Sequence, residues 1–207
     1  MSQIFRIHPD NPQPRLIKQA VELIRKGGVI VYPTDSAYAI GCQIGEKSAL
    51  DRIKVIRQLG DKHNFTIICR DLSELATYAI VDNSTYRLLK SYLPGPYTFL
   101  LKASKEVPKR LLHPKRKTIG LRVPDCKITQ ALLEELNAPL ITSTLRLPGD
   151  EYPLSDPEDI RAYMEPQVDL IVDGGFGSLE LTTVVDLVEG YPEILRVGMG
   201  DPADLGC

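Results

Sequence analysis

Gly27-Gly28-Val29-Ile30-Val31-Tyr32-Pro33-Thr34-Asp35 is the stretch on which the fold turns. The paired glycines close the helix before them, because glycine accepts the left-handed backbone of a helix C-terminus without steric cost. Val29-Ile30-Val31-Tyr32 follows, a short run of β-branched and aromatic residues that suits a buried strand. Pro33-Thr34-Asp35-Ser36 then forms a turn from residues that fix or hydrogen-bond their own backbone. On the N-terminal side, Leu16, Ile17, Ala20, Val21 and Ile24 recur at helical spacing behind Pro14, giving one apolar face. Helix, glycine cap, buried strand and polar turn together are the unit from which α/β proteins are assembled.

The alternation continues toward the C-terminus. The pattern predicts helices over about 47–58, 71–79, 83–92 and 127–137. It predicts a further helix from Pro157 to Met164, with Asp156 as N-cap and Pro157 in the first turn. Strands are expected at Phe65–Cys69, Tyr97–Leu101, Thr118–Val123, Leu140–Ser143, Val168–Val172, Thr183–Leu187 and Ile194–Val197. Strands and helices that interleave in this way predict an α/β protein of the α+β type, with helices packed on one mixed sheet. No internal repeat occurs, and the best candidate boundary, the Pro- and Gly-bearing stretch 147–157, is short. One domain over residues 1–207 is the expectation.

Composition narrows the function classes. Apolar residues make up 43% and charged residues 25% of the 207, which supports a packed core and excludes wholesale disorder. Cys42, Cys69, Cys126 and Cys207 are far apart, with neither zinc-ligand nor disulfide spacing. The N-terminus lacks a secretory apolar run, and no window approaches a membrane span, so a cytoplasmic location without membrane contact is expected. Net charge is −2, yet residues 1–149 hold 23 basic against 13 acidic residues while 150–207 hold 2 against 14. That asymmetry fits an anionic partner for the first part, or two oppositely charged faces that meet on folding.

Several chemistries are disfavoured. No phosphate-cradling G-x-x-x-x-G-K-[ST] loop, no G-x-G-x-x-G after the first strand and no G-x-S-x-G elbow occurs. His8, His63 and His113 lack metal-ligand spacing, so no metal site is assigned, and no acid–base pair stands out. What remains is a series of motifs at strand ends. Pro33 to Gly41 leaves a strand with hydroxyls and a carboxylate, a position that presents side chains to ligands in open α/β sheets. Pro94-Gly95-Pro96-Tyr97-Thr98 fixes the backbone and allows a close approach. Lys102, Lys105, Lys109, Arg110, Lys115, Arg116 and Lys117, opposed only by Glu106, either attract phosphates or form a solvated loop. Asp173-Gly174-Gly175-Phe176-Gly177, before Thr182 and Thr183, is either an anion-binding nest of amides or an ordinary turn.

Taken in order, these segments resemble the YrdC/YciO family. The matching stretches are Gly27 to Asp35 with Tyr38 and Gly41, Leu93 to Thr98, Thr118 to Pro124, Asp173-Gly174-Gly175, Thr182 to Asp186 and Ile194 to Gly198. The start Met1-Ser2-Gln3, then His8 to Pro12 and Arg57-Gln58-Leu59, is closest to the YciO branch. The resemblance implies a twisted mixed sheet around a concave basic cavity. YrdC-type members bind ATP with Mg²⁺ and L-threonine there and make threonylcarbamoyl-adenylate from these and bicarbonate, in tRNA modification. Carried over by position, Thr34 and Tyr38 would line the amino-acid pocket and Arg122 would pair with the threonine carboxylate. Thr182, where the family usually has Ser, and Thr183 would contact substrate, while Arg57, Thr144, Arg146 and Arg196 would face the nucleotide phosphates.

The chain departs from the family pattern in three places. Val55-Ile56-Arg57 stands for Lys-x-Arg, Thr144-Leu145-Arg146 for Ser-x-Asn, and Cys69 for a histidine. Two functions follow as expectations: a threonylcarbamoyl-adenylate synthase of weak or altered activity, or a double-stranded RNA or tRNA-binding module without synthase chemistry.

Overall fold

The computed structural model describes residues 2–60, 63 and 65–205. In chain order the elements are β1 (Gln3–Arg6), α1 (Pro14–Arg25), β2 (Ile30–Tyr32), β3 (Ala39–Gln43), α2 (Lys47–Arg57), β4 (Thr66–Ile68), α3 (Leu72–Tyr78) and α4 (Asn83–Tyr92). There follow β5 (Tyr97–Lys102), β6 (Thr118–Arg122), α5 (Lys127–Leu136), β7 (Leu140–Thr144), α6 (Pro157–Met164), β8 (Leu170–Asp173), β9 (Thr183–Asp186) and β10 (Glu193–Arg196). The expected helices form, each within about two residues of its sequence-based ends. Gly27 sits at φ 81° just past α1, and its amide donates to Ile24 O at 2.9 Å. Asp156 caps α6 by accepting from the Glu158 amide. Two strands escaped the sequence reading. β1 is a half-exposed edge without strong periodicity. β3, Ala39-Ile40-Gly41-Cys42-Gln43, has one β-branched residue in five and passed for the tail of the preceding turn.

All ten strands join one open mixed sheet in the order β1-β8-β2-β3-β7-β4-β6-β5-β9-β10. The pairs β1/β8, β2/β8, β4/β6 and β5/β9 are parallel, and the others are antiparallel.

The two faces are clothed differently, and this creates the cavity. Side chains alternate between the faces along each strand. One set, including Val31, Ile40, Ile67, Phe99, Leu101, Ile119, Leu121, Ile141 and Val185, packs with Leu50 and Ile53 of α2, Leu75 of α3, Leu89 of α4 and Ile160 of α6. Each such aliphatic side chain, fully buried, stabilises the fold by on the order of 1.5–3 kcal/mol. On the opposite face, α1 and α5 pack Ile17, Val21, Ile24, Ile128, Leu132 and Leu136 on Ile30, Tyr32, Ala39, Ile68, Leu140 and Leu170. No other helix joins that second cluster among the described residues. Where its cover ends, the strand residues change character. Register places Thr142, Thr66, Gly120 and Leu100 side by side across β7, β4, β6 and β5. It places Thr98, Val184 and Arg196 side by side across β5, β9 and β10. Residues directly opposite one another share a face, so these two rows form a floor of threonine, glycine and arginine with Leu100 and Val184 among them, where a covered face would be apolar throughout.

Candidate functional site

Over that floor lies a cavity of about 390 Å³, within the size range of small-ligand sites. Ser36 to Ala39 form one wall. Arg57 enters from the end of α2, Arg146 from the segment after β7, and Leu181, Thr182, Leu195 and Arg196 from the β9–β10 side. Gly120 keeps the floor open. A Cβ there would stand 3.0 Å from Thr66 Oγ1 and 3.3 Å from Thr98 Cγ2.

Four arginines line the cavity, and no carboxylate does among the described residues. Arg122 is 8% exposed and donates from Nη2 to Asp35 Oδ1 at 2.6 Å and to Ser36 Oγ at 3.2 Å. The other oxygen of Asp35 accepts from the Asp125 amide, which fixes the carboxylate. Arg57 is likewise 8% exposed. Burial, with the neighbouring Arg146 charge second, pushes its guanidinium down to about 10, so it stays cationic at neutral pH. The Nε atoms of Arg57 and Arg122 are buried without a hydrogen-bond partner among the described residues. A buried donor left unpaired costs about 1–3 kcal/mol, more when charged, so an acceptor placed beside either one would be stabilising. Arg196 is anchored by three bonds from Nε and Nη2 to Thr182 O and Oγ1. Burial and the charges of Arg122 and Arg146 lower its pKa. Thr182 Oγ1 also meets Thr98 Oγ1 at 2.8 Å. Such a chamber favours ligands with several negative charges.

Seven of the nine residues singled out from the sequence line the cavity or its rim: Tyr38, Arg57, Arg122, Thr144, Arg146, Thr182 and Arg196. Thr34 and Thr183 do not. Thr34 Oγ1 donates to Ala37 O at 2.7 Å and accepts from the Ser36 amide, so it closes the turn before β3. Thr183 is fully buried, and its hydroxyl donates to Gly200 O and accepts from the Gly198 amide. Tyr38 contributes its ring alone, since its hydroxyl donates to Gly175 O at 2.7 Å and accepts from the Gly174 amide at 3.0 Å. That bond, with Gly175 N to Asp173 Oδ1 and Gly177 N to Ser155 O, takes up the glycine amides and decides between nest and turn. The glycine-rich segment is therefore a turn clasped on Tyr38. The lysine-rich run from Lys102 to Lys117 lies exposed outside the cavity, with Arg116 paired to Asp186 at 2.7 Å. Cys69 is in the core, and burial raises its thiol pKa.

The sequence reading missed His63, Thr66, Thr142 and Ser143 in the lining, while Ser36, Thr98 and Gly120 lay within its motifs without being chosen as site residues. A signal existed for the strand residues. In Thr66-Ile67-Ile68, Tyr97-Thr98-Phe99 and Thr118-Ile119-Gly120-Leu121-Arg122, hydroxyls, glycine and arginine alternate with large apolar side chains. Such alternation marks a face without a helix on it.

Fold and cavity define an α/β protein built on one open mixed sheet, with an arginine-walled chamber where one face is left uncovered. The sequence model of the family described as telomere recombination, which groups Sua5, YciO and YrdC, matches residues 22–198. The chain belongs to this family. It is 61% identical over 201 residues to the protein YciO of Escherichia coli (strain K12), covering 97% of this chain and 98% of that one. It is 30% identical over 184 residues to the threonylcarbamoyl-AMP synthase of Coxiella burnetii (strain RSA 493 / Nine Mile phase I), covering 87% and 96%. The crystal structure of E. coli YciO superposes with a TM-score of 0.93 at 60% identity, covering 98% of both chains. The structure of P. abyssi Sua5 complexed with L-threonine superposes with a TM-score of 0.87 at 24% identity, covering 95% of this chain and 58% of that one, and shows the fold alone. Among the described residues no helix is long and apolar enough to cross a membrane.

Proposed function

We propose that the cavity holds ATP and an L-amino acid, threonine first among candidates, and joins them through bicarbonate as a carbamoyl-adenylate. In the reaction, the threonine amine and bicarbonate condense to a carbamate with loss of water. A carbamate oxygen then attacks the α-phosphorus, the bond from that phosphorus to the bridging oxygen breaks, and pyrophosphate leaves with the electron pair. The observation that carries this reading is the charge of the chamber: four guanidiniums, two with a buried unpaired Nε, and no lining carboxylate among the described residues. Two anionic reactants repel one another in water, and a chamber of fixed cations removes that repulsion while holding the pair in place. The sequence similarity to a threonylcarbamoyl-AMP synthase supports the same chemistry.

In this reading Arg122, held by Asp35 and Ser36, receives the amino-acid carboxylate. Arg57, Thr144, Arg146 and Arg196 face the phosphates, and Thr98 and Thr182 offer hydroxyls to the substrate. Tyr38, Thr34 and Thr183 shape the walls. Among the described residues no group of three or more His, Cys, Asp or Glu side chains stands together to hold a metal ion. The cavity lining offers Mg²⁺ no carboxylate among the described residues, so the ion would be held mainly by the ATP phosphates, and no step is assigned to it. The test is incubation with ATP, L-threonine and bicarbonate while pyrophosphate is measured. Threonine-dependent release, lost in Arg122→Ala, is the expected result. Release equal to that without threonine rejects the reading.

A second reading, binding of double-stranded RNA or tRNA, is favoured by Lys105, Lys109, Lys115 and Lys117, exposed together on the loop between β5 and β6. A chamber of about 390 Å³ cannot admit a duplex, so RNA would lie on this outer surface. Its affinity would fall steeply with salt and drop when these four lysines become alanine. Affinity indifferent to both changes rejects it.

A further inference from the structure

His63 is the lining group that neither the sequence pattern nor the synthase reading uses. Its Nε2 lies 3.3 Å from Ser143 Oγ, its ring meets Phe65 edge-on at 5.0 Å, and its amide donates to Gly60 O. Among the described residues, Arg57 from α2 and Arg146 from the segment after β7 are the charged groups that bear on it. Arg122 and Arg196 share the same chamber, and among the described lining residues no carboxylate offsets them. The pKa of the imidazole is therefore lowered. Burial opposes its proton first, Arg57 second and Arg146 third. Arg57 Nε is buried and unpaired in the same lining.

One kind of ligand, an anion, complements all of these groups. A multiply charged phosphate settling against Arg57 and Arg146 cancels the two charges that repel a proton from His63. It also adds an acceptor for the imidazolium N–H. We propose that His63, seated on Ser143 in the part of the cavity where Arg57 and Arg146 are read as facing phosphates, takes a proton from solvent as the terminal phosphates of a polyphosphate ligand bind. In the Nδ1–H tautomer Ser143 Oγ donates to Nε2, and once Nε2–H has formed the serine accepts from it and can turn its own hydrogen to the ligand. The inference rests on the cavity being an anion site and not on adenylate formation. This part of the cavity thereby prefers diphosphate and triphosphate ends to a monophosphate, and it binds more tightly as the pH falls toward the range in which His63 titrates.

The test uses the full chain and inorganic pyrophosphate, with no ATP or threonine present, so that failure of the synthase reading leaves it unaffected. The His8, His63 and His113 ring signals are followed by ¹H–¹³C NMR against pH, with and without saturating pyrophosphate, and His63 is assigned from the spectrum of His63→Gln. The expected result is a His63 midpoint below the usual 6.5 without ligand and raised by about one unit or more with it, which is tenfold tighter binding of the protonated form. His63→Gln should still bind pyrophosphate but lose that tenfold dependence on pH. Absence of binding, an unmoved or lowered midpoint, or an unchanged pH dependence in His63→Gln each overturns the proposal. The midpoint of the unaltered chain decides the matter even if the variant fails to fold.

Discussion

Removing the Asp35 carboxylate should be among the most damaging single changes near the cavity. Asp35 and Arg122 meet at 2.6 Å with side chains 7% and 9% exposed. Breaking a buried pair by deleting one partner leaves the other charge uncompensated and costs about 3–5 kcal/mol. The low end applies to Asp35→Ala, because Arg122 keeps its bond to Ser36 Oγ and fronts the cavity, where water reaches it. Loss of the acceptor for the Asp125 amide adds about 0.5–1 kcal/mol. For a chain of this size roughly 3 kcal/mol corresponds to a fall in Tm of about 6–12 °C. Asp35→Asn keeps the shape and the amide acceptor and should lose about half as much. The matched control is Asp10→Ala. Asp10 pairs with Lys127 at 3.2 Å, but both side chains are open to solvent (77% and 63% exposed), where such pairs contribute about 0–1 kcal/mol. Urea unfolding of the three variants at low and high salt decides the issue, since salt screens the exposed pair and hardly touches the buried one. If Asp35→Ala loses less than about 1 kcal/mol, or no more than Asp10→Ala, the argument that Asp35 holds Arg122 in the chamber wall is refuted.

Other changes follow from the same geometry. Tyr38→Phe removes the donor to Gly175 O and the acceptor of Gly174 N; a loss of about 1–3 kcal/mol is expected, together with faster amide exchange at Gly174 by NMR. Gly120→Val drives two methyls into the floor beside Thr66 and Thr98; it should cost about 1–3 kcal/mol by overpacking and weaken pyrophosphate binding at least about tenfold by calorimetry, some 1.4 kcal/mol. Stability should depend on pH through His63. Its folded-state pKa is depressed by burial, Arg57 and Arg146, so its contribution is full above the ordinary value of 6.5 and is lost as the pH falls from there through the folded-state value. Thermal melts of His63→Gln should lack that part of the acid-side decline.

Local pattern sufficed for much of this molecule. The β-branched run Val29–Tyr32, the glycine cap at 27–28 and the proline-marked entry to α6 each act within a few residues, so helices, most strands and the α/β class could be read directly from the chain. The family resemblance singled out all four cavity arginines, one at the end of α2 and the others on or just after strands. Tertiary contacts decided the rest. Thr34 and Thr183 carry the same hydroxyl as Thr182, yet their partners, Ala37 O and Gly200 O, are set by how neighbouring segments lie, so sequence could not tell a wall strut from a lining group. The five lysines of 102–117 are the densest basic run in the sequence but ended on the outer surface, because charge along a chain carries no information about which face it reaches. The cavity itself arises because α1 and α5 cover only part of one sheet face. Strand order and register, which bring residues as distant as Thr66, Gly120 and Thr142 into one row, are settled only when the whole sheet assembles and buries its apolar side chains.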